Sequence, residues 1–349
     1  LIAITIVEDV FPLAISLLDA VKQFDIPVIA GGVFVTLCPE EVICQENIDM
    51  ICIGEGEQPL VELCERMYRG QDYTSVDNLW VKKDGEIIKN PLRKLIDINQ
   101  LPYIDYDIFE KKRLYRPMQG RIYTMIHVEM DRGCPYDCTY CEAPQLRKLF
   151  KEQGCGNYYR RKTASRIMEE LRYLVSKYNP DYIHFNAESF LARPVAELKE
   201  LARQYREIGL PFWCQSRPET VTEEKIKILK EMNCKNLQFG IEQGNEEFRT
   251  RILNRHYTNK QLVAAFKIVE KYGIQRKALR KAVKKLIRDG VFKLKVKRWD
   301  MAWKHLMRVI SDMFNKPDNP VIVWKLTNSG YTREDVLRRV RSIFVKIRY

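Results

Sequence analysis

Thr124-Met125-Ile126-His127-Val128-Glu129-Met130 and, after Asp131, Arg132-Gly133-Cys134-Pro135-Tyr136-Asp137-Cys138-Thr139-Tyr140-Cys141 decide how this chain is read. The first run is apolar and rich in β-formers, which predicts a buried strand. The second is a loop that sets Cys134, Cys138 and Cys141 in a C-x3-C-x2-C array. Three thiolates that close together can hold three irons of a [4Fe–4S] cube and leave the fourth without a protein ligand. An open iron can be chelated by a small molecule, so the spacing points to catalysis rather than electron storage. The same trio could sit in a zinc site, but structural zinc takes four ligands in paired knuckles. The chain has no second C-x2-C pair and no His within ten residues after Cys141. Zinc and inert thiols remain the alternatives.

Working outward, strands and helices alternate after this loop. A helix is expected from about Ser165 to Tyr178, a strand at Tyr182-Ile183-His184-Phe185, and a helix from Pro194. The next strand is Phe212-Trp213-Cys214, then a helix capped by Thr222 with Glu223 and Glu224 in its first turn. Asn236 to Ile241 reads as a further strand, and Thr258 with Gln261 forms a capping box for a helix that ends near Gly273. Four such units in series predict a parallel β/α barrel or half-barrel, with its chemistry at the C-terminal strand ends. Glu188 and Ser189 follow the second strand and Glu242 follows the fourth. Carboxylates there suit a cofactor with a cationic amino group and a sulfonium.

The first seventy residues show the same alternation. Leu1 to Ile6, Pro27 to Ala30 and Met50 to Ile53 read as strands, the last two ending on Gly31-Gly32 and Gly54-Glu55-Gly56. Pro12 to Phe24 reads as a helix with Leu13, Ile15, Leu17, Leu18 and Val21 inward, and Pro59 to Arg69 as another. This pattern predicts a parallel α/β sheet with ligands at its glycine-rich strand ends. Trp80 to Lys83 and Glu86 to Lys89 flank Asp84-Gly85, a two-residue hairpin signal, and Leu101 to Asp107 reads as an extended linker.

The cysteine loop and Phe239-Gly240-Ile241-Glu242-Gln243-Gly244 resemble the radical S-adenosylmethionine (SAM) superfamily. The order of the first seventy residues resembles the C-terminal half of the cobalamin-binding domain that precedes many of its members. The resemblance spans about residues 1–274. It implies a partial cobalamin-binding-like (Rossmann-like) sheet over 1–75, a hairpin and linker over 76–120, and a radical SAM core, an incomplete (β/α) barrel, over 121–274. By resemblance, Tyr140, Glu188, Ser189 and Glu242 bind SAM, while Gly31, Gly32 and Thr5 line the cobalamin tail. Arg217, Arg251 and Arg255 are candidates to steady the SAM carboxylate or the substrate. The family's cobalt-binding D-x-H-x-x-G motif is absent, and none of His127, His184, His256 and His305 has such a context.

Composition agrees with a folded enzyme: 46% hydrophobic and 30% charged residues exclude a disordered chain. No apolar run is long enough to span a membrane. The ten Cys are scattered, and a cluster-bearing trio needs reduced thiols, which predicts a cytoplasmic protein. The remaining Cys have no ligand spacing. Cys38, Cys44, Cys52 and Cys64 are expected to pack as small apolar residues, Cys155 to be structural, and Cys214 to face the site. The chain opens on Leu1 inside an apolar run, so the natural N-terminus is expected upstream.

The net charge of +13 is concentrated at one end, because residues 275–349 hold about 21 Lys/Arg against about 6 Asp/Glu. Gln275 to Lys285 reads as the start of a basic, mainly helical region, with no fifth strand before it. Such a region can pack, or contact an anionic membrane or nucleic acid, which would place the protein peripherally on a membrane in the first case. The resulting expectation is a radical SAM enzyme with a [4Fe–4S] cluster, SAM, and cobalamin as cofactors, acting on a small molecule by methyl transfer. An electron donor such as flavodoxin or ferredoxin is implied. The alternatives are an oxidative cyclase, a tRNA methylthiotransferase, or a non-catalytic cluster-binding remnant.

Overall fold

The computed structural model describes residues 1–118 and 120–278. The first body is a five-stranded sheet in the order β1 (Ile2–Thr5), β2 (Val28–Gly31), β3 (Met50–Cys52), β4 (Leu79–Lys83), β5 (Glu86–Lys89). The first three strands are parallel and the hairpin adds antiparallel. β2 and β3 are apolar throughout because both their faces are covered. On one face Ile6, Leu18, Val35, Ile43 and Ile51 pack beneath α1 (Phe11–Val21), α2 (Val33–Leu37) and α3 (Pro39–Ile43). On the other, Ile29, Met50 and Val81 pack against Leu63 of α4 (Glu57–Tyr68).

Two expectations change here. The hairpin expected within the 76–120 connector belongs to the first sheet, since Met50 pairs with Val81 and Cys52 with Leu79. Its alternate residues Leu79 and Val81 are buried, and that burial draws it in. Leu13 and Leu17 were expected inward but are 59% and 55% exposed. Helix α1 lies by the edge strand β1, so only a narrow stripe centred on Ala14 and Leu18 finds cover.

The second body is a six-stranded half-barrel in the order β13-β12-β11-β10-β7-β6. It comprises β6 (Tyr115–Met118), β7 (Arg121–Glu129), β10 (Tyr182–Asn186), β11 (Phe212–Ser216), β12 (Cys234–Phe239) and β13 (Gln275–Ala278). Only β6 is antiparallel, folded back on β7 as a hairpin. A two-stranded ribbon, β8 (Asp131–Arg132) with β9 (Arg160–Arg161), sits beyond β7. The helices are α5 (Ala143–Glu152), α6 (Ala164–Tyr178), α7 (Val195–Tyr205), α8 (Glu223–Glu231), α9 (Glu246–Arg251) and α10 (Asn259–Lys271).

Local chemistry sets these boundaries. Thr163 and Thr222 accept hydrogen bonds from the backbone N–H of Arg166 and Lys225, and Thr258 and Gln261 close the expected capping box. Each cap contributes about 1 kcal/mol. Phe185, Phe190, Tyr205 and Phe212 form an aromatic cluster with ring centroids 4.9–6.1 Å apart, which locks α7 onto β10 and β11. Residues 275–278 were expected to open a basic helix and instead form β13, paired with β12 from Asn236–Gln275 to Phe239–Ala278. Gly273, in the left-handed region at φ 66°, ends α10 and turns the chain back along the open edge of β12. The ladder gained there outweighs local helix propensity. The rest of the expected helical region, 279–349, lies outside the described residues. Among the described residues no helix is long and apolar enough to cross a membrane.

The inner face of the half-barrel carries residues of one parity. His127, His184 and Trp213 are adjacent in register on three strands, His184 stacked on Trp213 at 3.6 Å and its Nδ1 2.7 Å from Nδ1 of His127. Burial pushes the His184 pKa down to about 3 and lowers that of His127, so this layer is neutral at physiological pH. Two residues further along the strands come Gln215 and Gln238, which reach the cysteine loop's cavity.

Gly32 links the first sheet to its ligand-facing edge. Its φ is 106°, and an added Cβ would stand 2.7 Å from the Ile6 carbonyl and 2.8 Å from Thr5 Oγ1. Gly32→Ala is expected to destabilise the protein by about 2–3 kcal/mol in urea unfolding. Gly70→Ala, also at positive φ but in open space, should cost about 1 kcal/mol. Equal losses would contradict this account of Gly32.

Candidate active site

The cysteine loop leaves β7 through Asp131 and Arg132 and is clamped from two sides. Arg147 of α5 donates from Nη1 to the carbonyls of Cys134 (2.7 Å) and Tyr136 (3.4 Å), and pairs through Nη2 with Asp137. From the segment after α9, Asn254 Nδ2 donates to the Asp137 carbonyl at 2.7 Å, while Thr139 Oγ1 donates to the Ile252 carbonyl at 2.6 Å. The thiols thus hang on a backbone whose carbonyls are spoken for.

Cys134, Cys138 and Cys141 line one cavity of about 280 Å³ at the C-terminal ends of β10, β11 and β12. Among the described residues no three His, Cys, Asp or Glu are grouped tightly enough to share one ion. The thiols face a volume that a polynuclear group would fill. Burial, with Glu188 nearby, raises the Cys134 pKa, and burial with Glu142 pushes Cys141 up to about 11. The thiols of Cys134 and Cys141 are therefore protonated at neutral pH, and a metal binding there would displace their protons. Arg217 is 7% exposed and donates from Nη1 to Cys138 Sγ at 2.9 Å, so a cation already faces one thiol. Its guanidinium lies 3.8 Å over the Tyr136 ring and is paired with Glu219. The donor set fits a cluster: soft sulfurs, a cation beside one of them, and room between.

Glu188 and Glu242 line the same cavity as the loop. Burial, then the charge of Glu142, raises the Glu188 pKa, although its side chain opens to the cavity. Glu242 has φ 60°, and its Oε1 accepts from Arg255 Nη1 at 2.9 Å. Tyr140, also on the wall, accepts from the same nitrogen at 2.7 Å.

Other expected residues fall elsewhere. Ser189 is buried behind the wall, its hydroxyl 3.0 Å from that of Ser216, and Ser216 is the one that lines the cavity. Arg251 is exposed on α9 and paired with Glu247 at 2.8 Å, outside the site. Cys214 is fully buried on the opposite strand face. Cys155 packs with Leu146 and Phe150, whereas Cys44 and Cys64, expected to be packed, are exposed. Gln215 and Gln238 were missed. Their alternation with apolar neighbours Cys214, Leu237 and Phe239 was the available signal.

A second pair of cavities separates the first sheet from the cysteine loop. One, about 340 Å³, is lined by Gly32, Thr36, Gly54 and Glu55 from the first body and by Arg132 and Phe150 from the second. Gly31, which precedes Gly32, and Thr5, paired with Gly31 across the sheet, are off its wall. The other, about 410 Å³, runs from Val33, Phe34 and Cys38 to Cys141 and Glu142. Glu55 ties the two bodies: Arg132 Nη1 donates to Oε1 (3.0 Å), Arg160 Nη1 to Oε2 (3.1 Å), and the Ile96 N–H to Oε2 (3.2 Å). Burial alone would raise the Glu55 pKa, but Arg160 and Arg132 hold it below the usual carboxylate range.

Residues 128–283 match the family model of the radical SAM superfamily. An uncharacterized methyltransferase of Pyrococcus horikoshii is 27% identical over 253 residues, 71% of this chain and 52% of that relative. The chain thus spans about half the length of that protein. Among solved structures, OxsB, a cobalamin-dependent SAM radical enzyme with aqua-cobalamin and SAM bound, superposes with a TM-score of 0.61. The match is 18% identical and covers 80% of this chain and 40% of OxsB. The radical SAM methyltransferase TsrM of Kitasatospora setae, with tryptophan and a SAM analogue, gives 0.57 at 16% identity, over 79% of this chain and 55% of TsrM. At these identities the likeness is one of fold.

Asp131, buried beneath the loop, accepts the Glu188 N–H at 3.3 Å. Burial, only partly offset by Arg193, raises its pKa to about 7. The folded state then holds a proton that the unfolded chain releases near pH 4, so stability is lost as pH rises through 7. Asp131→Asn should stabilise the protein relative to wild type at pH 8 compared with pH 5, by roughly 2–3 kcal/mol in urea unfolding. A pH-independent difference would contradict it.

Proposed function

We propose that this chain, whose residues 128–283 match the family model of the radical SAM superfamily, holds a [4Fe–4S] cluster on Cys134, Cys138 and Cys141 and cleaves SAM reductively. The outcome is radical chemistry on an unactivated carbon of a small molecule, most simply methyl transfer. One observation carries this reading: three thiols on a single clamped loop share a cavity with Glu188 and Glu242 at the strand ends. When bound and reduced, the cluster supplies the electron that breaks a carbon–sulfur bond of SAM.

The chain's own residues do the rest. Glu188 and Glu242 offer carboxylates to the amino group of the methionine moiety, and the raised pKa of Glu188 relaxes once a cation faces it. Gln215 and Gln238 offer amide donors and acceptors from the inner strand face. Strand β13 adds a fifth parallel strand to the barrel core that the sequence left open. The neutral His127–His184–Trp213 layer packs the inner face one step before Gln215 and Gln238 along the strands.

Cobalamin fits in part. The cavity at Gly32, where a Cβ would collide, suits a flat nucleotide tail held by Gly32, Thr36 and Gly54. Among the described residues every His lies in the second body, so the first sheet supplies no imidazole for cobalt. Methyl transfer draws its support from the name borne by the Pyrococcus relative and from the shared fold. A reducing, cytoplasmic setting and an electron donor of the flavodoxin or ferredoxin type follow from the need to keep and reduce the cluster. The basic end, residues 275–349, is proposed as a contact for an anionic membrane or nucleic acid.

Anaerobic reconstitution should give about four irons per chain, and changing all three cysteines to Ala should abolish this, while Cys44→Ala should not. Glu188→Ala and Glu242→Ala should each weaken SAM binding by about 1.5–3 kcal/mol. Full iron loading of the triple variant would overturn the cluster assignment. A clustered protein that does not bind SAM would leave the cluster-binding remnant as the better reading. Hydroxocobalamin should be retained less well than SAM on gel filtration, and stoichiometric retention would contradict that ranking.

A further inference from the structure

Arg255 is 3% exposed, and its guanidinium touches both halves of the site. Nη1 donates to Glu242 Oε1 (2.9 Å) and to Tyr140 Oη (2.7 Å), and Nη2 donates to the Gly240 carbonyl (2.7 Å). Glu242 and Gly240 belong to the end of β12, whereas Tyr140 belongs to the cysteine loop. We propose that Arg255 is a positioning residue: it registers the cysteine loop to the end of β12, and so aims Glu242 and Tyr140 into the cavity together. The proposal rests on the SAM-binding reading above and differs from a direct grip on SAM or substrate. Three of the five guanidinium N–H groups already serve protein acceptors, and the fork they form spans the loop and the strand end.

Three observations support this. Glu242 sits at φ 60°, a conformation a glutamate adopts only when its surroundings fix it. A Cβ on Gly240 would stand 2.5 Å from Glu242 Oε1 and 3.5 Å from Arg255 Nη1, so the pair is folded directly over the backbone there. Tyr140 accepts from Arg255, which leaves its own O–H free to donate toward the cavity it lines. One cation thus sets an acceptor and a donor at the same cavity. Lysine would carry the charge but not the planar fork that reaches Gly240 and Glu242 at once.

The test compares wild type, Arg255→Ala, Arg255→Lys, Glu242→Ala and the double variant R255A/E242A, each reconstituted with iron. Hydrogen exchange without SAM should quicken in R255A at both 138–142 and 240–244 and stay unchanged in α8. SAM affinity should fall about 10–100-fold in R255A and in E242A, and the double variant should lose at most about threefold more, because both changes remove one interaction. R255K should lie between wild type and R255A. Faster exchange in only one of the two segments, or in neither, would overturn the proposal, as would losses that multiply in the double variant. If R255A fails to fold, R255K carries the same exchange comparison. Absence of SAM binding by wild type would sink the functional reading, with the exchange result still deciding this one.

Discussion

Three thiols act as one ligand set only if the loop between them cannot wander, and the rest of this site depends on that constraint. Ten residues from Arg132 to Cys141 contain a single proline and no regular structure beyond β8, so their conformation is imposed from outside. Arg147 satisfies two of the loop's carbonyls from α5, and Asn254 and Thr139 tie it to the segment after α9. The charged hydrogen bonds from Arg147 are worth about 1.5–3 kcal/mol each when desolvated, and the neutral ones about 1 kcal/mol. The clamp uses side chains from both flanks of the half-barrel, so the loop's shape depends on the barrel around it. Arg217 and Arg255 extend the same logic inward, one beside Cys138 and the other beneath Glu242.

The two bodies meet around a half-buried charge. Glu55 lies at the end of β3 and answers Arg132 from the cysteine loop's own stem and Arg160 from β9. Removing one member of such a group leaves its partners uncompensated and costs about 3–5 kcal/mol. The position of Gly32 and Gly54 relative to the loop is therefore held by electrostatics, while the cavities between them stay open. This division of labour suits a protein whose two sheets each present glycine- or thiol-bearing strand ends to a shared space.

The alternation of strands and helices was readable from apolar runs and caps: Thr163 aside, the capping threonines Thr222 and Thr258 and the hairpin at Asp84-Gly85 stand where their chemistry requires. Spacing and strand-end position singled out the three cysteines, Glu188 and Glu242, and these five residues line one cavity. The misses share a cause. Whether Leu13 faces in, whether Ser189 or Ser216 meets the cavity, and whether Gln275 to Ala278 extends the sheet all depend on neighbours distant in sequence. Arg251 and Arg255 are four residues apart and alike in composition. Only the fold shows that one pairs with solvent-exposed Glu247 and the other is buried under Glu242.

The central claim is that the cysteine loop presents a cluster with one iron open to SAM. Electron paramagnetic resonance of the reconstituted, dithionite-reduced protein, recorded with and without SAM, tests it most directly. The account predicts a reduced [4Fe–4S] signal whose g values shift when SAM is added, because the ligand reaches the iron that no cysteine holds. A reduced signal that SAM leaves unchanged would contradict it.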